Sequence, residues 1–337
     1  MILLSIVKQS NKTALPAPLR NGIVAVFLGA TSGIGQSALK QFVAAAKDKN
    51  SRIYIVGRST KAASPLLDEL RHTDSSASIG FIERDVSLLR EVDLATDFIK
   101  QRVKKVDLLF LSVGFISFEG RKETSEGLEP SMTTRFYSRA RAIHQLLPLL
   151  DASDNPHVTN ILAGGEEGSL LTEDLDLKKP ENYSIVRAAV HSATMLTLTL
   201  ERYAKEYPRI GFVHAHPGLV STPIFGRGSS GISGLFLRSI AAPLVTTFLA
   251  TSAEDAGARA LFHATNARYT VDATMSLATP MPDGLQKAEK SKGGIFLVDK
   301  GSESTDSEKV LQGHRKDNVE LVAKHLDDIF SQISKAH

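Results

Sequence analysis

The chain has 337 residues, with 40 Lys and Arg against 37 Asp and Glu for a formal charge of +3, and this even balance without a dense basic block argues against nucleic acid or an anionic membrane surface as partner. It contains no cysteine, which excludes disulfides, thiolate nucleophiles and zinc-thiolate sites and fits a reducing, cytoplasmic setting. The length admits one α/β domain with extensions.

In chain order, the N-terminal Met1-Ile2-Leu3-Leu4-Ser5-Ile6-Val7 is apolar only briefly. It has neither a basic n-region nor a small-residue cleavage site, and reads as mature protein. The apolar run Ile23 to Leu28 leads directly into Gly29-Ala30-Thr31-Ser32-Gly33-Ile34-Gly35. That is a strand, a glycine-rich turn and a helix start, which together set backbone amides and a helix N-terminus against a nucleotide pyrophosphate. Further β-rich runs occur at Arg52 to Val56, Ile79 to Glu83, Val106 to Leu111, Val158 to Leu162, Ile210 to His214 and Gly293 to Val298. Most of the first six strands are followed by a segment with helical spacing, and the strands are apolar throughout rather than alternating, as a parallel sheet covered on both faces requires. The expected architecture is a Rossmann-type, doubly wound α/β sheet in a single domain, 1–337, with a core over 20–270.

The rest of the chain extends that core. Long helices are expected at about 124–150 and 183–206, and a C-terminal strand and amphipathic helix over 293–334, the helix at about 314–333. Segments 280–292 and 299–308, rich in Pro, Lys, Ser and acid, are the least regular. Residues 231–250 are apolar but broken by Arg238 and Pro243, whereas a membrane span needs about 20 mostly apolar residues without such breaks. The expectation is either a helical hairpin on the core or, over 223–250, a lid above an apolar substrate.

The glycine turn, Asp85-Val86 after the third strand, Ser112-Val113-Gly114 after the fourth and Pro217-Gly218 after the sixth, in that order, resemble the short-chain dehydrogenase/reductase family over about residues 20–270. Within it, Leu146-Leu147-Pro148-Leu149-Leu150 and the Gly164 to Pro180 loop with Glu173-Asp174-Leu175 are similar to retinol-dehydrogenase-like and fungal secondary-metabolism members. The resemblance implies cofactor roles. Gly29 permits the tight turn, Gly33 the approach of backbone to phosphate and Gly35 the packing of helix on sheet, with Ile34 between them and Thr31 and Ser32 adding hydroxyl donors. Arg58-Ser59 closes the second strand, a cation where NAD-selective relatives carry an acid. This favours NADP(H), with Arg58 on the 2′-phosphate and Ser59 assisting; the alternative is a solvated Arg at a strand end. Asp85 would accept from the adenine amino group while Val86 packs on the ring, unless Asp85, or Ser87 in its place, caps the following helix. Ser112, Val113 and Gly114 would form the wall beneath the adenine ribose, and Pro217, Gly218, Val220 and Thr222 would flank the nicotinamide carboxamide.

Hydride chemistry in this family ordinarily uses a Tyr-x-x-x-Lys pair, with a Ser and an Asn, and no Tyr-x-x-x-Lys occurs in the chain. Tyr183-Ser184-Ile185-Val186-Arg187-Ala188-Ala189 resembles the family's segment with Arg187 for the Lys; Ala163 falls at the Ser and Arg135 at the Asn. In one reading Tyr183 transfers the proton while the Arg187 cation favours its phenolate and binds the nicotinamide ribose; Tyr183 is otherwise a relic packed on the loop. In a second, His191 on the same helix transfers the proton near neutral pH, against a purely structural role. His214 and His216 find no third ligand at metal spacing, so no metal is expected. The expected function is an NADP(H)-dependent oxidoreductase acting on a carbonyl, alcohol or alkene of a hydrophobic small molecule, in natural-product biosynthesis. The alternatives are a cyclase or isomerase without net redox, and a non-catalytic NADP(H)-binding protein. The two long helices suit a homodimer.

Overall fold

The computed structural model describes residues 1–13, 15, 22–118, 120–221, 250–271 and 278–335. Its seven-stranded sheet comprises β1 (Val24–Leu28), β2 (Arg52–Gly57), β3 (Ser78–Glu83), β4 (Leu108–Leu111), β5 (His157–Ile161), β6 (Gly211–Ala215) and β7 (Phe296–Val298) in the order β3-β2-β1-β4-β5-β6-β7. Every neighbouring pair is parallel. Along β1 the residues divide by parity: Val24, Val26 and Leu28 join one apolar cluster, while Ala25 and Phe27 join a second on the other face. Both faces are buried, which is why the strands carry no polar alternation.

The helices follow the expected alternation with informative departures. They are α1 (Leu4–Asn11), α2 (Gly33–Ala45), α3 (Thr60–Thr73), α4 (Leu89–Lys100), the single turn α5 (Pro130–Met132), α6 (Ser138–Asp151), α7 (Ile185–Glu206), α8 (Ala253–Thr265), α9 (Glu308–Asp317) and α10 (Val319–Lys335). The helix anticipated at 124–150 starts at Pro130, because Glu129 caps it through both carboxylate oxygens, accepting from the Ser131 N–H at 3.0 Å and the Met132 N–H at 2.7 Å. A π turn, Thr133–Tyr137, then separates α5 from α6. The single closing helix of the sequence reading is two, α9 and α10.

The brief apolar N-terminus is a helix packed on α8, where Lys8 pairs with Asp255 at 2.6 Å and the Asn11 side chain donates to the Ala258 carbonyl at 2.8 Å. Segment 299–308 is more regular than expected: Thr305 N–H donates to the Leu297 carbonyl, and Ser304 bridges Val298 antiparallel. Residues 280–292 hold no helix or strand. Among the described residues no helix is long and apolar enough to cross a membrane. The lid region 223–250, apart from residue 250, lies outside the described residues, as does Thr222.

The face expected to pair two copies is covered by the chain itself. Helix α10 packs against α4 and α7, its Phe330 ring lies 6.0 Å from the His144 ring of α6, and Ser334 accepts from Arg141. A homodimer bundle of the two long helices is therefore blocked over this part of their surface.

Candidate active site

Sheet order reverses between β1 and β4, and in open α/β sheets that switch point leaves a crevice at the carboxyl ends of the strands. A cleft of about 610 Å³ lies there. Its wall takes in Gly29, Thr31, Ser32, Gly33, Ile34 and Gly35 from the turn, Arg58 after β2, Asp85 and Val86 after β3, and Ser112, Val113 and Gly114 after β4. Twelve residues singled out in the sequence are thus brought to one surface.

The glycines are required by closeness. Gly29 has φ +89°, and a Cβ there would stand 2.4 Å from the Val113 nitrogen; a Cβ on Gly35 would stand 2.3 Å from Ser112 Oγ and 2.7 Å from the Gly29 carbonyl oxygen. Gly33, at φ +59°, starts α2, so the N-terminus of a 13-residue helix opens onto the cleft. Arg58 is exposed and makes no hydrogen bond or ion pair among the described residues. Ser59, expected to assist it, lines the same cleft and caps α3, its Oγ accepting from the Ala62 N–H at 3.2 Å. Asp85 accepts from the Ser87 N–H at 3.0 Å through Oδ1. Neither residue caps α4, because Glu126 from a distant loop takes the Leu89 and Arg90 N–H groups at 2.6 and 3.0 Å.

Beyond the turn the structure departs from the sequence reading. His191 is fully buried; its Nε2 accepts the Leu171 N–H at 3.1 Å and its Nδ1 lies 3.3 Å from the Leu175 carbonyl. Both ring nitrogens are committed to the 171–175 loop, and burial pulls the ring below its ordinary pKa. His191 is a fastener for that loop and has no proton or lone pair to offer a substrate. Arg187 donates to the Asn182 and Glu181 carbonyls. Tyr183, half-buried just before α7, is pushed up from its ordinary pKa by desolvation and by Glu129, against the pull of Arg135 and Arg121. The cations acting on the phenol are those two arginines.

Pro217 and Gly218 follow β6 as expected, with φ +73° at Gly218, and Val220 is buried in a parallel bridge to Thr251. None of the three lines the large cleft: Pro217 belongs to a small cavity with Arg259, His263 and Lys300.

Two buried arrangements escaped the sequence. Arg139, 1% exposed, holds three backbone carbonyls beside β4, those of Leu111 at 3.0 Å, Thr134 at 3.2 Å and Val113. Burial, with Arg135 nearby, lowers it to about 9. Behind Ala163, the Ala163 N–H donates to His214 Nε2 at 3.2 Å, His214 Nδ1 lies 2.9 Å from Thr197 Oγ1, and Thr197 donates to Glu167 Oε1 at 2.6 Å. Desolvation holds His214 down at about 3, so the ring is neutral and fixes the end of β5. Among the described residues no group of three His, Asp or Glu gathers in metal-binding geometry.

Comparison with known proteins follows the same lines. Residues 23–231 match the profile of the family described as short chain dehydrogenase. The NmrA-like family domain-containing oxidoreductase notO of Aspergillus sp. (strain MF297-2) is 44% identical over 341 residues, spanning 100% of this chain and 97% of its own. The short-chain dehydrogenase/reductase SAT2 of Stachybotrys chartarum is 29% identical over 93% of this chain and 94% of its own. Among solved structures, the Pseudomonas aeruginosa RhlG/NADP active-site complex superposes with a TM-score of 0.52 at 20% identity, over 80% of this chain and 98% of that one.

Proposed function

The chain belongs to the short-chain dehydrogenase family, and from that premise we propose that it is an NADP(H)-dependent oxidoreductase reducing a carbonyl of a hydrophobic small molecule. The observation that carries the cofactor choice is Arg58: an exposed guanidinium without a partner among the described residues, on the cleft wall after β2. A 2′-phosphate would supply the bidentate anion that a guanidinium fork matches. The cradle fits the rest of the dinucleotide, since the contacts at Gly29 and Gly35 leave no room for side chains and the α2 N-terminus faces the pyrophosphate position. Asp85 keeps Oδ2 for the adenine amino group, and Val86 offers its apolar surface to the ring. Pro217, Gly218 and Val220, which the resemblance sets beside the nicotinamide carboxamide, do not line this cleft.

When bound, the dihydronicotinamide supplies the hydride. The chain's own part is to orient the carbonyl and to deliver a proton to its oxygen, and Tyr183 is the group for that. Its raised pKa keeps it protonated at neutral pH, which suits donation and so the reductive direction. Arg135 and Arg121 would then stabilise the phenolate left behind. Ala163 gives the oxygen no hydroxyl donor, and this substitution keeps a second reading open to test, an isomerase or cyclase without net redox. The fungal relatives support a role in secondary metabolism, and the lack of cysteine a cytoplasmic location.

The test is a titration of the full chain with NADPH and NADH, following nicotinamide fluorescence, for the wild type and Arg58→Glu. NADPH should bind at least tenfold more tightly than NADH, and Arg58→Glu should remove that preference, a loss of about 1.5–3 kcal/mol for a charge-assisted contact. Equal affinity of the wild type for both overturns the assignment. Stoichiometric NADP⁺ formation with a reducible carbonyl separates net reduction from turnover with the nucleotide unconsumed.

A further inference from the structure

Arg135 is 7% exposed, yet its guanidinium makes no hydrogen bond or ion pair among the described residues, and its Nη1 is buried without a partner. A buried charge is ordinarily paired or hydrogen-bonded, because removing it from water costs free energy that only a partner restores. Nearby, Arg121 pairs with Glu123 through Nη1 while its Nε and Nη2 are likewise buried and unpartnered. The carboxylate that acts on both, Glu129, is already occupied with the Ser131 and Met132 N–H groups. Arg139 adds a third cation, satisfied by carbonyls alone. The region behind Gly114 therefore carries more guanidinium than carboxylate among the described residues, and two of its cations hold donors with no acceptor among them.

Position decides what the missing acceptor belongs to. A Cβ on Gly114 would lie 3.8 Å from Arg135 Cγ, and Gly114, Phe115 and Thr134 line the cleft on the β4 side. The glycine turn after β1 and Arg58 after β2, where phosphates would sit, lie on the other side of the switch point. Tyr183 shares the arginines' field. With Arg135 directly behind Gly114 on that side of the cleft, an acceptor carried by the molecule that meets Tyr183 would complete these donors.

Resting on the NADP(H) reading of this cleft, we propose that the substrate carries an anionic oxygen, as a carboxylate or an enolate, on an otherwise apolar carbonyl compound, and that Arg135, seconded by Arg121, receives it. The chemistry shared by the two sources is an oxyanion within reach of a guanidinium while the neighbouring carbonyl faces Tyr183. Such a contact also selects orientation, since the charged oxygen can be accommodated on only one side of the reacting carbon.

The experiment uses the NADP⁺-loaded full chain titrated with four probes: benzoate against benzamide, and the enolate of 1,3-cyclohexanedione against neutral cyclohexanone. At least one anion should bind about tenfold or more tightly than its neutral counterpart, a 1.4 kcal/mol difference; which anion does so identifies the carboxylate or the enolate source. Arg135→Met should remove the difference while NADPH still binds, and Arg135→Lys should keep part of it. If NADPH binds and neither anion is preferred by the wild type, the inference is overturned while the cofactor reading stands. If NADPH fails to bind, the cofactor reading on which the inference rests is overturned first. The wild-type comparison needs no variant, so a misfolded Arg135→Met does not blunt it.

Discussion

Arg141 of α6 holds its guanidinium 4.6 Å from the centroid of the Phe330 ring on α10, and the same guanidinium pairs with Asp93 on α4. One side chain thus ties three helices together. Val322, Leu326, Ile329, Phe330 and Ile333 of α10 are all buried. Phe330→Ala should cost about 3–5 kcal/mol, the usual range for deleting a buried aromatic. Removal of residues 319–337 should expose the covered face and drive self-association, visible as a concentration-dependent mass by light scattering. A truncated chain with unchanged mass and melting temperature would contradict a structural role for this helix.

Gly35→Ala places a methyl against Ser112 Oγ and the Gly29 carbonyl, so the turn must shift. NADPH affinity should fall by about tenfold or more. Gly80→Ala is the control, because its nearest neighbour would be Tyr54 Cδ1 at 3.4 Å, an ordinary contact. Equal effects of the two substitutions on NADPH binding would show that the turn tolerates what its geometry forbids.

Tyr183→Phe should lower kcat by about 10²- to 10⁴-fold, the range for losing a positioned proton donor. NADPH binding should persist. His191→Asn should instead act on stability through the 171–175 loop; a kcat loss in this variant with an unchanged melting curve would return His191 to the chemistry.

Acid should destabilise the fold through three buried histidines. His157 is held down at about 4, and His214 and His263 at about 3, each by desolvation, whereas the unfolded chain protonates them near 6.5. As pH falls below about 6.5 the unfolded state binds protons first, so stability declines between about 6.5 and 4 and is flat with respect to these groups above 7. The limiting slope is about 1.4 kcal/mol per pH unit for each histidine. Urea unfolding midpoints from pH 7.5 to 5 check this, and a midpoint that did not move would rule it out.

The glycine turn, the strands and the cleft residues that follow β1, β2, β3 and β4 were legible because they depend on local pattern: apolar runs and residues directly after each strand. That Ser59 caps α3 was not legible, because a cap and a phosphate ligand look alike in sequence and only the 3.2 Å contact to Ala62 shows the cap. Glu126 capping α4 was invisible, since the carboxylate arrives from 37 residues away. His191 misled for the same reason: its partners lie in a loop 16 to 20 residues upstream. The C-terminal helices were read as one because hydrophobic spacing continues across Asn318, whereas the backbone bends there.

The π turn at Thr133–Tyr137 gives the strand-four crossover two independent bearings. A turn one residue longer than the α form rotates everything upstream of it by about 100° relative to an unbroken helix. The stretch after Ser138 can therefore keep its apolar stripe on the sheet, while Arg135, within the turn, is aimed by a separate setting. Deleting one residue of the turn would leave the downstream half in place and swing the upstream side chains round the axis. In that sense the turn works as an indexing step, by which recognition chemistry can be re-aimed without repacking the body of the protein.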